Sequence, residues 1–299
     1  MILNTVCGIQ TTLVRERIVL ILMLGVLLLA ALAAGCGAGA TGEASGTKVA
    51  AAFYPLAFLA ERIDPRADVT NVTPAGAEPH DVELAARDIE RVHDADVVLY
   101  LGRGFQPGLE DAVSGQDGAV DLLGGMALTG GNEDSDPHVW LDPLRFAAMA
   151  RKVATALDRP AAAGPLVAGL EELDREFRGG LAHCQRRELV TSHAAFGYLA
   201  RAYGLEQVPL AGLTPEVEPS ARDIEALVRE VEHSHATTVF FETLVSPKLA
   251  ETVAREAGAR TAVLDPLEGL TDDEVSAGED YFSVMRANLV ALRKALGCS

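Results

Sequence analysis

Residues 188–209, ELVTSHAAFGYLARAYGLEQVP, decide the fold. ELVTS reads as a short apolar strand, AAFGYLARAYG as a helix, and EQVP opens the next strand. Strand, helix and strand at this spacing form a βα unit, the building block of a parallel sheet covered by helices. The rhythm continues outward. TTVFFE (237–242) and RTAVLD (260–265) are further strands. ARDIEALVREVEH follows a Ser220–Asp223 capping box, and KLAETVAREAG starts at Ser246-Pro247. Thr271 with Glu274 caps a final helical region that includes YFSVMRANLVALRKAL.

The first half has the same pattern. TKVAAAF (47–53), ADVTNVTP (67–74) and DVVLYLG (96–102) read as strands, PLAFLAERI as a helix. DVELAARDIERVHDA (81–95) carries helical spacing at Leu84, Ile89 and Val92. Residues 113–136, rich in Gly and acids, read mostly as loop, with one short apolar segment, AVDLL. Asp142 is a good N-cap with Pro143 in the first turn, opening LRFAAMARKVATAL. RPAAAGP breaks that helix, and LVAGLEELDREFRGGLAH makes a second long helix joining the halves. The expected fold is α/β, with two lobes at residues 48–160 and 184–299, each a mostly parallel sheet flanked by helices. A long linking helix, 161–183, connects them.

The chain is acidic, with a formal charge of -18. That balance argues against nucleic acid, whose phosphates need positive charge, and against broad docking on anionic lipid. Arg15 and Arg17 precede an uncharged apolar run of about 17 residues that ends in LAAGC. This is the outline of an export signal over residues 1–36, and LAAGC resembles a lipobox with lipid on Cys36. A plain anchor helix, or a signal cleaved without lipid, fits the same residues. Residues 37–47, GAGATGEASGT, read as a flexible tether. Each alternative puts the folded part outside the cytoplasmic membrane. Of four cysteines, Cys184 and Cys298 remain as a possible disulfide, since exported pairs often bond.

In open α/β sheets, ligands bind beyond the carboxyl ends of strands. His193 follows one strand, Asp265 ends another, and His80 lies in the loop after a third. His138, in DPHVWLDP (136–143), precedes the helical middle and can return to the cleft. His93, His183, His233 and His235 precede strands and fall at the opposite edge. Three imidazoles and a carboxylate suit a tetrahedral borderline cation, zinc above all. Each residue also has a plain alternative: a cap for His80, packing on Trp140 for His138, a backbone bond for His193, a turn for Asp265. Glu242 and Glu78 are reserve carboxylates for the metal or for holding its ligands. Glu216 and Glu218 could shape a nearby loop.

At these residues the chain resembles the zinc- and manganese-binding lipoproteins of bacterial ABC importers. GAEPHDVEL carries His80, DPHVWLDP His138, VTSHAAFGYLA His193, and VFFETLVSPKLAETVAREAG followed by AVLDPLEG carries Asp265. The resemblance spans roughly residues 48–295. It implies a metal between two α/β lobes, a rigid linking helix and small shifts on release; the break at RPAAAGP puts the start of that helix near Pro165, where a first-turn proline costs little. It also implies delivery of Zn2+ to a membrane permease driven by an ATPase, by a monomer that is not an enzyme. Relatives that take manganese usually carry a carboxylate at the place of His193, so zinc is the expected cargo over manganese or iron. Residues 114–136 hold acids but no histidine, unlike the His-rich loop of many zinc-binding relatives. A surface adhesin on the same fold and a zinc hydrolase are the alternatives. The hydrolase would need an open coordination position for water.

Overall fold

The computed structural model describes residues 46–130, 135–214 and 220–299. The segments read as signal, lipobox and most of the tether, with Cys36, lie outside the described residues, as do Glu216 and Glu218.

The first sheet has four parallel strands in the order β2-β1-β3-β4: β1 Lys48–Ala51, β2 Asp68–Asn71, β3 Val97–Tyr100 and β4 Ala119–Asp121. Val49 pairs with Val97 and Ala51 with Leu99. Both central strands are apolar runs because helices cover both faces of a parallel sheet. The second sheet repeats this topology as β6-β5-β7-β8: β5 Glu188–Thr191, β6 Glu206–Pro209, β7 Thr238–Phe241 and β8 Arg260–Val263. In each sheet the winding reverses beside the first strand, which opens a crevice at the carboxyl ends of the two middle strands.

The helices follow the expected punctuation. α1 (Tyr54–Ile63) carries Pro55 in its first turn and buries Leu56, Phe58, Leu59 and Ile63. α2 is Ala86–His93, shorter than the expected 81–95. Pro79–Asp81 instead forms a 3-10 turn, and Ile89 lies at the surface. α3 (Pro107–Ala112) lies in a stretch that the sequence patterns leave without an element, and β4 forms in the segment that reads only as short and apolar. α4 (Pro143–Ala156) starts at Asp142, whose carboxylate accepts from the Leu144 and Arg145 N–H groups. The break after it is real: Asp158 is left-handed at φ 54° and Pro160–Ala162 is a 3-10 turn.

The linking helix, α5, runs Ala163–Leu181, 19 residues or roughly 28 Å. In the second half, α6 is Gly197–Tyr203, α7 Ala221–His233 and α8 Lys248–Glu256. α9 (Asp272–Ala277) and α10 (Tyr281–Leu296) finish the chain. α10 packs closely on α5. A Cβ at Gly169 would stand 3.1 Å from the Phe282 ring, and one at Gly180 3.0 Å from Leu289. A disulfide joins Cys184, just past α5, to Cys298, just past α10.

Gly46–Ser299 is one compact unit, and a single buried cluster runs from Val49 to Leu296 through both lobes. Trp140 lies at its centre, edge-on to Phe53 with ring centroids 4.8 Å apart, its carbonyl accepting from the Tyr281 hydroxyl at 2.7 Å. A smaller cluster around Val190, Val239 and Val253 fills the far side of the second sheet. No helix among the described residues is long and apolar enough to cross a membrane.

Candidate metal centre

Four loops converge between the lobes, and each side chain is held by local chemistry. His80 sits in the 3-10 turn after β2. Glu78 caps that turn by accepting the His80 N–H at 3.2 Å. Gln106 donates to the Pro79 carbonyl at 3.1 Å, and the His80 ring meets Phe105 edge-on at 4.7 Å. His138 caps the next 3-10 turn, and its Nδ1 is 2.8 Å from Asp136 Oδ1. His193 leaves β5 in extended conformation, with its carbonyl accepting from Thr191 Oγ1 and Gln207 Nε2. Its Nδ1 is 2.6 Å from Glu242 Oε1, at the end of β7. Glu242 also accepts from the Ser192 hydroxyl.

The fourth side chain is Glu268. Its Oε1 lies 3.1 Å from His138 Nε2, 3.3 Å from His193 Nε2 and 3.4 Å from His80 Nε2. The potential ligand atoms of these four residues all lie within 4.8 Å of one another, the one such group among the described residues. His138 and His193 have no exposed surface and Glu268 is 1% exposed, so the cluster is shielded from water. His80 Nε2, His193 Nε2 and Glu268 Oε2 are buried without a hydrogen-bond partner. Unpaired buried polar atoms are costly. Several facing one centre are donors arranged for a cation. Carboxylates hold Nδ1 of His138 and His193, which leaves each Nε2 facing inward as the ligand atom.

Asp265 stands apart from this group. Its Oδ1 accepts the Leu267 N–H at 2.6 Å and its Oδ2 the Thr243 hydroxyl at 3.1 Å. Asn288 clasps its backbone at both N–H and carbonyl, and Trp140 Nε1 donates to the Pro266 carbonyl at 2.8 Å. Leu267 is left-handed at φ 56°. The carboxylate expected to face the metal therefore folds the loop, and the loop turns Glu268 inward three residues later. The sequence signal was present in DPLEG, which offers two acids. What hid the choice was Leu267, a residue type that rarely adopts positive φ. Glu78, one of the reserve carboxylates, is half-buried beside the centre, with its Oε2 buried and unpartnered. His233, at the end of α7, and His235, in the turn before β7, are both exposed on the far edge.

Charges in the cluster are strongly interdependent. Burial alone would depress the imidazoles. For His138, hydrogen bonds to Asp136 and Glu268 outweigh it and hold the pKa above the ordinary value. For His193, Glu242 and Glu268 do the same and raise it to about 10. Burial would raise Glu268, yet the three imidazoles hold it well below the usual carboxylate range. Burial, and then the charge of Glu268, push Glu78 up to about 8. Burial pushes Asp265 up to about 7, against the pull of the Leu267 N–H. His138 and His193 thus keep protons on nitrogen in the metal-free cluster, close to a carboxylate that stays charged.

Two parallel α/β lobes on a linking helix, with a buried three-histidine, one-carboxylate cluster between them, define a solute-binding protein built for a metal ion. The model of the family described as "Zinc-uptake complex component A periplasmic" (ZnuA) matches residues 49–295, and the chain belongs to that family. The family's description is that of a periplasmic component of a zinc-uptake complex. The chain is 36% identical to the zinc-binding protein AdcA of Streptococcus pyogenes over 82% of its own length and 55% of that protein. It therefore spans about half the length of the AdcA proteins it matches. It is 32% identical to the high-affinity zinc uptake system protein ZnuA of Bacillus subtilis, covering 89% of this chain and 94% of that one. The crystal structure of the Zn(II)-bound ZnuA-like domain of Streptococcus pneumoniae AdcA superposes with TM-score 0.74 at 34% identity, over 84% of this chain and 99% of that domain. A laminin-binding protein of Streptococcus agalactiae, described as bifunctional with adhesin and metal transporting activity, gives 0.76 at 27% identity, over 84% and 100%.

Proposed function

We propose that this protein captures Zn2+ outside the cytoplasmic membrane and delivers it to an ABC permease, whose ATPase drives uptake. One observation carries the reading: three imidazole nitrogens and Glu268 converge, buried, within 4.8 Å of one another. His80, His138, His193 and Glu268 are the proposed ligands. Three nitrogens favour zinc over manganese, which prefers oxygen. Four protein ligands fill a tetrahedron and leave no position for a reactive water, which suits carriage rather than hydrolysis. The shared apolar core across the lobes opposes wide hinge opening, so release needs local movement of the ligand loops. The LAAGC segment supports lipid attachment at Cys36, with residues 37–47 as the tether to the membrane.

Capture exchanges protons for metal. Zn2+ takes the inward Nε2 positions, and Glu268 turns from partner of the protonated His138 and His193 rings to ligand. The test is metal content and competition titration of the purified untagged chain beside His138→Ala. One zinc per chain, held in preference to manganese and lost in the variant, is the expected result. Stronger retention of manganese, or zinc binding indifferent to the variant, overturns the reading.

A further inference from the structure

The proposed ligands come from both lobes, but the seating of one of them depends on a residue of the other lobe that touches no metal position. Tyr198 lies in α6, 1% exposed, and its hydroxyl makes two hydrogen bonds across the lobe boundary. It donates to the Asp136 carbonyl at 2.9 Å and accepts the Thr129 N–H at 2.9 Å. Asp136 N–H in turn donates to the Thr129 carbonyl at 3.0 Å. One phenol oxygen therefore clasps Thr129 and Asp136 together.

The other face of Tyr198 is also fixed. The Arg145 guanidinium stands 4.5 Å from the ring centroid and donates to the Ala127 carbonyl at 2.8 Å. Asp136 then holds His138 twice, through the backbone N–H at 3.0 Å and through Nδ1 at 2.8 Å. Its other carboxylate oxygen would stand 2.9 Å from a Cβ at Gly197, so α6 begins with the residue that leaves room for it. The chain of contacts runs from Tyr198 to Asp136, His138 Nδ1 and the inward Nε2. His193 differs, since its buttress, Glu242, comes from its own sheet.

We infer that Tyr198 and Asp136 are positioning residues for the metal centre: together they fix the tautomer and aim of His138, so that the second lobe sets the geometry of a first-lobe ligand. The inference rests on the proposed zinc site. A carboxylate that holds a ligating imidazole typically contributes ten- to a hundredfold in metal affinity, at order of magnitude. The hydroxyl acts one bond further out, with the equilibrium worth of about one hydrogen bond, roughly three- to tenfold.

The test uses the full chain with Tyr198→Phe, Asp136→Asn and, as control, Tyr203→Phe. Tyr203 is a buried tyrosine of the same helix whose hydroxyl bonds Asp174 at 3.3 Å, away from the metal centre. The probes are Zn2+ affinity by chelator competition and the visible absorption of the Co2+-loaded protein, which reports ligand geometry. The expected result is about three- to tenfold weaker zinc in Tyr198→Phe and ten- to a hundredfold in Asp136→Asn, both with altered Co2+ bands. Tyr203→Phe keeps the wild-type affinity and spectrum. Wild-type affinity and bands in Tyr198→Phe overturn the inference while the zinc reading stands. Equal losses in Tyr203→Phe also overturn it, since the effect is then general destabilisation. A wild-type chain that binds no zinc fails the underlying reading instead.

Discussion

Glu268 and Asp265 lie three residues apart in one buried loop, and exchanging their charges separately tests which one holds the metal. Glu268→Gln keeps the side-chain shape and removes the negative charge that sits 3.1–3.4 Å from three Nε2 atoms. Loss of one member of a buried charged set costs about 3–5 kcal/mol, which is roughly 10²- to 10⁴-fold in zinc affinity. Asp265→Asn keeps an acceptor for the Leu267 N–H and a polar partner for the Thr243 hydroxyl. With its carboxyl already pushed up to about 7, it loses only part of a charge at neutral pH. About 1 kcal/mol, or less than tenfold in affinity, is expected. Chelator competition at pH 7.5 reads both affinities, and thermal melts of the metal-free variants separate loss of a ligand from loss of fold. An Asp265→Asn variant that loses as much zinc affinity as Glu268→Gln, with its metal-free melt intact, refutes the assignment of Glu268 as fourth ligand.

Zinc affinity should fall with acid, and calorimetry in buffers of different ionisation enthalpy should record proton release. His193 is raised to about 10, so near neutral pH its imidazole is protonated in the metal-free chain and must release a proton to Zn2+. Each proton displaced lowers affinity about tenfold per pH unit below the imidazole pKa, and a flat profile from roughly pH 7 to 5 contradicts this. The same raised pKa stabilises the metal-free fold fully below the unfolded value near 6.5, and the gain is lost as pH rises through about 10. Metal-free melts should record that loss between those limits, and the zinc-loaded protein should not share it. Gly197→Ala places a methyl 2.9 Å from Asp136 Oδ2 and should weaken zinc binding severalfold in the same competition assay, with little change in the helix itself. Reducing Cys184–Cys298 opens a loop closed across 114 positions and should cost about 2–5 kcal/mol of stability, read by denaturant melts with and without reductant.

Much of this molecule was legible in its sequence because the signals are local. Short apolar runs such as VVLY and LVT, set between helical patterns, read as strands of a covered parallel sheet, and Asp142-Pro143, Ser220 and Thr271 mark helix starts by hydrogen bonds made within three residues. The rule that ligands gather at strand carboxyl ends selected His80 and His193 without knowledge of any contact. The short helix Pro107–Ala112 and strand Ala119–Asp121 escaped, since segments of six and three residues carry too little periodicity to register.

The fourth member of the metal centre was decided by tertiary structure alone. Asp265 and Glu268 are both acids beyond β8, and nothing local ranks them. Asn288 from α10, Trp140 from the first lobe and the left-handed Leu267 bend the loop so that Asp265 is consumed in holding it and Glu268 turns inward. Tyr198 lies 62 residues from Asp136 in the chain, and their hydrogen bond exists only because the lobes pack. The sequence by itself determined the repeated βα units and the three histidines, since strand and helix patterns act over a few residues. Which carboxylate faces those histidines, and which residues aim them, depended on contacts between segments far apart in the chain, and only the packed fold creates these.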